Sequence, residues 1–274
     1  MMTTEFDVVD PNGHANRSTP TCGRMRALSE FVGYTRKGNT MTTLEIETTT
    51  ASTRHAAPYS SAAVRVRDAV LDALDWMSPH VNEFPWAERS AYCDWLAQTY
   101  HYVHHSTRLL AAAAARFPTN ERGDALHHRF AAHMREEQKH ERLCIHDLRV
   151  LGSSVAEFRE RPATRMFYEP QYFKIEHRDP TALLGYILVL EVLGAAGDGR
   201  TLMATLAEAH GDNSLSFVKL HCEEDADHIE KGFAIVEGCT AEQIELIEEN
   251  AWQTAHAYAA MLREIREQKW RLAR

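Results

Sequence analysis

The chain has 274 residues, of which 44% are hydrophobic and 25% are charged, the composition of an ordinary soluble globular protein. This length allows one large domain or two small ones. With 30 basic against 39 acidic residues, the formal net charge is −9. A phosphate-binding basic surface is therefore not expected, and nucleic acid is not an expected partner.

The cysteine pattern and the apolar segments indicate the cellular compartment of the protein. The five cysteines are scattered, odd in number and never form a CxxC pair. This argues against a disulfide framework or a zinc ribbon and favours a reducing compartment. No signal peptide is recognisable, and the most apolar run, 182–197, is too short to span a bilayer and contains a glutamate. We expect a cytoplasmic protein with no membrane contact.

Residues 1–60 differ in character from the rest of the chain. The stretch from Met41 to about residue 63 is rich in Thr, Ser and Ala and has no sustained helical period. We interpret 1–60 as a disordered N-terminal tail. Met41 offers a second plausible start, which would make the first forty residues a gene-start artefact. The folded domain is predicted to span 61–274.

From residue 61 onwards the chain shows one helical pattern after another. Helices are predicted over about 64–74, 86–116, 121–151, 163–175, 180–196, 201–209, 214–237 and 241–273. Gly152 is a natural C-terminal cap for the third segment, and Thr240 with Gln243 forms a capping-box signal before the last. No strand alternation appears. The predicted fold is all-α, a bundle of about seven helices, with 163–175 the short one.

The first candidate ligands lie in the stretch HMREEQKHERLCIHDLRVLG, residues 133–152. Glu137 and His140 are three residues apart on one helical face, and His133 lies seven residues before His140 on the same face. Because charged side chains surround them, the stretch is equally consistent with a solvated helix surface.

A second candidate is the single carboxylate in TALLGYILVLEVLGAAG, residues 181–197. A helix that is apolar on all sides is a buried helix. A buried carboxylate is costly unless it is protonated, paired or bound to a metal. Glu191 is therefore a metal-ligand candidate, with protonation or an arginine partner as alternatives.

The third candidate group is in HCEEDADHIE, residues 221–230. With a rotation of about 100° per residue, offsets of four and seven place His221, Asp225 and His228 within an arc of about 60° on one helix face. Each is a possible metal ligand, and none is usual on the apolar face of a helix.

Taken together, three helices offer three carboxylates and three imidazoles. Mixed histidine and carboxylate sets without thiolates suit iron or manganese better than structural zinc. Six such side chains suffice for two metals, and helical bundles build dinuclear carboxylate sites in this general manner. A ferritin-like site needs two ExxH motifs, whereas the second motif here is HxxxDxxH.

These motifs resemble those of the heme-oxygenase-like diiron oxidases, a family of iron-containing redox enzymes. The resemblance rests on EEQKHE (136–141), the following DLRVLG, the lone Glu191 and HCEEDADH (221–228), and it covers about residues 65–265. It implies a heme-oxygenase-like helical bundle and two Fe(II) ions per chain. Carried over position by position, the iron ligands fall on Glu137, His140, Glu191, His221, Asp225 and His228.

The resemblance also implies an O₂-activating oxidase or oxygenase. Its expected substrate is a small metabolite that carries an amino or carboxylate group, and the expected chemistry is N-oxygenation, desaturation or oxidative C–C cleavage. The expected partners are O₂ and that small molecule, and a homodimer is left open. The cationic side chains that we consider as anchors for a substrate carboxylate are Arg108, Arg135 and Lys219, each also explicable as a surface charge.

Three other functions remain open on the same fold. A thiaminase-like hydrolase needs a nucleophilic cysteine, for which Cys144 and Cys222 are candidates. A cofactor-free oxidase and a non-catalytic metal- or ligand-binding module are the others. A heme oxygenase proper is not indicated, because residues 62–79 contain no histidine.

One departure from the family concerns the helix predicted at 86–116. Some family members use a further carboxylate from an earlier helix, but between residues 89 and 120 this chain has only Asp94. It carries instead the cluster His101, His104 and His105. These histidines either line the bundle without touching metal or contribute to the second iron site or to substrate binding.

Overall fold

The computed structural model describes residues 60–195 and 199–267, except for the side chains of residues 195, 199, 200 and 223–228. The tail predicted for 1–60, apart from Ser60, and the alternative start at Met41 fall outside the described residues, as does the end of the last predicted helix. Every regular element in the described part is helical, and no strand occurs there.

Nine α-helices occupy the described residues. They are α1 (Ser61–Asn82), α2 (Arg89–Ala114), α3 (Glu121–Glu136), α4 (Glu141–Val150), α5 (Pro162–His177), α6 (Leu183–Ala195), α7 (Gly199–His210), α8 (Ser216–Val236) and α9 (Ala241–Glu267). The all-α prediction is confirmed, with nine helices where about seven were predicted. None of these helices combines the length and apolar character that crossing a bilayer requires.

One difference from the sequence prediction lies at the first candidate motif. The single helix predicted over 121–151 is two helices, α3 and α4, separated by a turn at 137–140. Within this turn Lys139 has φ = 75°, a left-handed conformation that ends a right-handed helix. The left-handed residue at a helix end is usually glycine. The sequence EEQKHE therefore gives no warning of the break.

Local capping chemistry sets two helix boundaries where the sequence predicted them. After α4, Gly152 adopts φ = 67°, and the amides of Ser153 and Gly152 donate to the carbonyls of Leu148 and Arg149. This is a Schellman motif. Before α9, the Thr240 amide donates to Gln243 Oε1 while the Gln243 amide donates to Thr240 Oγ1, which completes the capping box.

The core forms around α6, which packs mainly against α8 and α9 and also contacts α1 and α5. The side chains of Leu183, Leu184, Leu188 and Val189 are all buried, as expected for a helix that is apolar on all sides. The approach of α9 is close enough that a Cβ at Gly185 would lie 2.2 Å from the Ile247 carbonyl oxygen. Helix α2 packs against α3 and α4, the two helices that flank the turn at 137–140, and also against α5.

Candidate metal centre

The turn between α3 and α4 brings the ExxH motif to α8. Glu137 is the C-cap residue of α3 and His140 precedes the first residue of α4, so both stand at helix ends. His140 Nδ1 lies 3.6 Å from Glu137 Oε2. On α8, the His221 ring meets the His140 ring nearly perpendicularly, with centroids 5.2 Å apart.

Glu137, His140 and His221 form the first donor group. Each presents one ligand atom, and these atoms all lie within 4.8 Å of one another. A metal bound at about 2.1 Å from each donor needs its donors within about 4.2 Å of one another, so small side-chain adjustments would complete the set. All three side chains are partly buried.

The His221 ring is oriented for metal binding. Its Nδ1 lies 2.8 Å from the Phe217 carbonyl oxygen, one turn earlier on α8. Because a carbonyl oxygen only accepts, Nδ1 carries the proton and the lone pair of Nε2 is available to a metal. The Phe217 ring packs against His221 with a centroid distance of 4.2 Å and restricts its rotation.

A second donor group shares Glu137 and adds His133 and Glu191. His133 Nε2 lies 3.5 Å from Glu137 Oε1 and 3.2 Å from Glu191 Oε1. One described partner of Glu191 is thus the histidine His133. His133 and Glu191 are only 6% and 9% exposed. The spacing of His133 and Glu137, one helical turn apart, was the available sequence signal.

The charges in this group compensate one another. Burial alone would lower the pKa of His133, but its bonds to Glu137 and Glu191 outweigh burial and raise that pKa from 6.5 to about 9. Burial likewise works to raise the pKa of Glu137, but His133 and His140 outweigh it and hold the carboxyl pKa well below its usual value. At neutral pH an imidazolium and an ionised carboxylate face each other in the core.

Asp147 fixes the start of the helix that carries His221. This α4 residue is fully buried, and its Oδ1 and Oδ2 accept from the amides of Ser216 and Phe217 at 3.0 and 2.9 Å. Leu215, which precedes α8, makes no side-chain cap. The carboxylate from α4 therefore caps α8 in its place, near the positive end of the helix dipole. The sequence offers no signal for such a cap between distant segments.

Asp225 and His228, the remaining predicted ligands, are also on α8. Their backbone is helical, but their side chains lie outside the described part of the structure. Their assignment stays a prediction.

In the histidine cluster on α2, His105 has described partners, whereas the buried Nε2 of His101 has no hydrogen-bond partner among the described residues. The His105 ring stacks on Tyr168 at a centroid distance of 3.9 Å, and its Nδ1 lies 2.8 Å from the Tyr172 hydroxyl. Neither described donor group includes a residue of this cluster. Asp94, the lone carboxylate of α2, forms a buried ion pair with Arg161. Whether the cluster contributes to a metal site or to substrate binding stays a prediction.

The anchors considered from the sequence lie at the surface. Arg108 and Arg135 are exposed. Lys219 Nζ pairs with Asp212 at 3.1 Å, and its side chain is 40% exposed. None of the three is turned into a buried pocket within the described structure.

Comparison with known proteins finds a matching family model and structures of similar fold. The model of a family described as iron-containing redox enzymes matches residues 93–261. Among curated proteins, none matches the sequence. A domain of unknown function with a heme oxygenase-like fold from Shewanella denitrificans OS217 is similar with a TM-score of 0.66 at 18% identity. That match covers 74% of this chain and 92% of the other.

A TenA homolog from Pseudomonas syringae pv. tomato DC3000 is similar with a TM-score of 0.63 at 11% identity, covering 79% of this chain and all of the other. At these identities the two structures are informative about the fold. The chain has a heme-oxygenase-like fold, as its motifs predicted.

Proposed function

The chain belongs to the family of iron-containing redox enzymes, and from this premise we propose that it is a non-heme diiron oxidase or oxygenase. It uses O₂ to oxidise a small metabolite that carries an amino or carboxylate group. The observation that supports this best is the convergence of Glu137, His140 and His221 from the α3–α4 turn and α8. Their ligand atoms suit iron, because they combine imidazole nitrogens with a carboxylate and include no thiolate.

The proposed arrangement uses Glu137 twice. Glu137, His140 and His221 would hold one iron. Glu191 would hold the second, with Asp225 and His228 from the face of α8 that also carries His221 by helical spacing. Glu137 belongs to both described donor groups, so its carboxylate would be available to either ion. The N-oxygenation, desaturation and C–C cleavage outcomes all remain within this proposal.

Bound iron supplies the redox chemistry with O₂, while the chain fixes the ligands and shapes the site. The buried carboxylates Glu137 and Glu191 offset the positive charge of the metal. Without metal, the His133 imidazolium offsets the negative charge of the two carboxylates, because it bonds to both of them. Metal binding then competes with the His133 proton, and iron uptake should release protons.

The thiaminase-like alternative has less support. Such a hydrolase requires a reactive thiolate. Cys144 is fully buried, and burial raises the pKa of its thiol well above the usual value, which keeps it protonated. Cys222 on α8 is half-buried. The likeness to the TenA homolog extends to the fold and carries no further weight for this activity.

Iron counts and O₂ consumption together test the proposal. Anaerobic loading of the wild-type protein should give about two Fe(II) per chain, as in other dinuclear carboxylate bundles. His221→Ala should lose one iron and O₂ consumption while keeping its helical circular dichroism. His177→Ala, which removes an exposed histidine at the end of α5, is the matched control and should behave as wild type.

Other results would assign the chain elsewhere. If His221→Ala retains wild-type iron and O₂ consumption, the ligand assignment is wrong. Protein that binds two irons but consumes no O₂ with any amino acid or fatty acid tested would be a binding module. Oxidation that proceeds without iron would identify a cofactor-free oxidase.

A further inference from the structure

A continuous path of aromatic rings leads from the first donor group towards the surface. The Phe217 ring, which contacts His221, lies 6.0 Å from the Trp95 ring of α2, measured between centroids. Trp95 in turn meets Trp86 nearly perpendicularly, with centroids 5.3 Å apart. These are distances of direct aromatic contact. Trp86 belongs to the segment between α1 and α2 and lies just beneath the surface, because Ala87 and the residue after it are exposed.

The two indoles on this path can carry charge. Tryptophan and tyrosine rings lose a single electron more readily than phenylalanine or aliphatic side chains do. Trp95 Nε1 donates to the Tyr258 hydroxyl at 3.1 Å, and Trp86 Nε1 donates to the Val81 carbonyl oxygen at 2.8 Å. A hydrogen bond becomes stronger when its donor is positively charged. Both bonds therefore stabilise an indole that has lost an electron.

The proposed chemistry gives such a path a use. Reduction of O₂ to water takes four electrons. Two Fe(II) ions supply two of them, and a two-electron oxidation of the substrate, such as desaturation, supplies the other two. When O₂ reacts without substrate, those two electrons must come from elsewhere, and the ligand side chains are the nearest source.

We propose that Trp95 and Trp86 form a relay that supplies these electrons and so protects the metal ligands when substrate is absent. The inference rests on the proposed function. Trp95 passes one electron through the Phe217 contact to the oxidised centre, Trp86 replaces it, and a one-electron reductant in solution, such as ascorbate, replaces the electron of Trp86. Each passage restores both indoles and oxidises one molecule of reductant. Two passages, with protons from solvent, complete the reduction of O₂ to water.

Two other tryptophans provide an internal contrast. Trp76 and Trp252 are in ring contact with each other and with His256, where α1 meets α9. No described ring contact joins this group to Trp86 or Trp95. Trp76 is 39% exposed, so an oxidant in solution reaches it directly. Trp76→Phe is therefore a matched control for substitutions on the path.

The first test uses metal-free protein and a bulky soluble photo-oxidant, flash-generated tris(bipyridine)ruthenium(III). Peptide mass spectrometry then locates oxygen adducts on each tryptophan. Trp95 is only 5% exposed, so the oxidant should reach it through Trp86, and wild type should carry adducts on both. Trp86→Phe should lose the Trp95 adducts, whereas Trp86→Tyr, which restores an oxidisable ring, should keep them. Trp76→Phe should match wild type at Trp95.

The second test exposes Fe(II)-loaded protein to O₂ without substrate and maps the adducts in the same way. Wild type should carry them on Trp95 and Trp86. Trp95→Phe should lose those on Trp86 and gain adducts on the ligands His140 and His221. Circular dichroism checks that each variant keeps its helical content.

The possible outcomes separate the relay from the proposed function. The relay is overturned if wild type forms no Trp95 adducts in the first test, or if a folded Trp86→Phe protein forms them as wild type does. Protein that loads iron and consumes O₂ without adducts on Trp95 would also overturn the relay, and would leave the proposed function standing. Oxidation of Trp95 through Trp86 in a chain that takes up no iron would support the aromatic path and refute the proposed function.

Discussion

Replacing Asp147 by asparagine should loosen the start of α8 and destabilise the whole bundle. The buried carboxylate accepts from the Ser216 and Phe217 amides. Asparagine keeps one acceptor oxygen but presents an NH₂ group to the other amide, so one buried N–H loses its partner. That loss costs about 1–3 kcal/mol, and removing the charge near the helix N-terminus costs about 0.3–1 kcal/mol more. The expected total is about 1.5–4 kcal/mol.

Denaturant unfolding of metal-free protein measures this change directly. For a domain of this size the expected destabilisation corresponds to a fall in Tm of about 3–16 °C. Asp212→Asn is the control, because the Asp212 side chain is 76% exposed and its described ion pair is with the surface residue Lys219, so its effect should stay within about 0.5 kcal/mol. An Asp147→Asn protein that unfolds within 0.5 kcal/mol of wild type, again about the size of a surface effect, would refute the capping argument.

The same variant connects the cap to the site. Because Asp147 positions the turn of α8 that precedes His221, its replacement should weaken iron at the first donor group. The weakening should exceed that of the Asp212 variant. Unchanged iron affinity in a destabilised protein would show that the cap supports the fold without positioning the ligand.

Three further changes have defined outcomes. Gly185→Ala places a Cβ 2.2 Å from the Ile247 carbonyl oxygen and should destabilise the protein by about 3 kcal/mol or more in chemical unfolding. In the control Gly238→Ala, the nearest atoms to the new Cβ belong to the flexible end of Arg122, so the stability should change little. Equal effects of the two substitutions would contradict this packing. In metal-free protein, the raised pKa of His133 stabilises the fold fully below pH 6.5, and this contribution disappears as pH rises through about 9. The unfolding free energy of the wild type minus that of His133→Gln should therefore fall by on the order of 3 kcal/mol as the pH rises from 6.5 to about 9. A difference that does not change with pH would exclude a charged His133. Glu191→Leu should lower the iron count from about two to about one per chain with helical content retained; retention of two irons would remove Glu191 from the ligand set.

The sequence predicts this fold well where the determinants are local. Apolar periodicity indicates the helices, and short-range chemistry at Gly152 and Thr240 marks their ends. The break at 137–140 escapes prediction, because Lys139 adopts a conformation that its side chain does not favour and that packing must impose. The same break divides one predicted helix into two and so adds one helix to the number predicted.

The sequence predicts Glu137, His140, Glu191 and His221 of the described donor groups, and predicts their contacts less well. Spacing alone identifies Glu137 and His140 as neighbours, and an apolar helix identifies Glu191 as exceptional. That His133 is the described partner of Glu191 depends on how α3 packs beside α6, which no local pattern encodes.

The interruption between α3 and α4 has a mechanical consequence. In an unbroken helix, Glu137 and His140 would move as one rigid rod. Here the turn at 137–140 separates α3, which carries His133, from α4, which begins directly after His140. Asp147 on α4 accepts hydrogen bonds from the first residues of α8. A small rotation of α3 relative to α4 about this turn would change the spacing between the two donor groups, while Glu137 in the turn would stay common to both. If two ions bind as proposed, such a rotation would change the distance between them without exchanging any ligand.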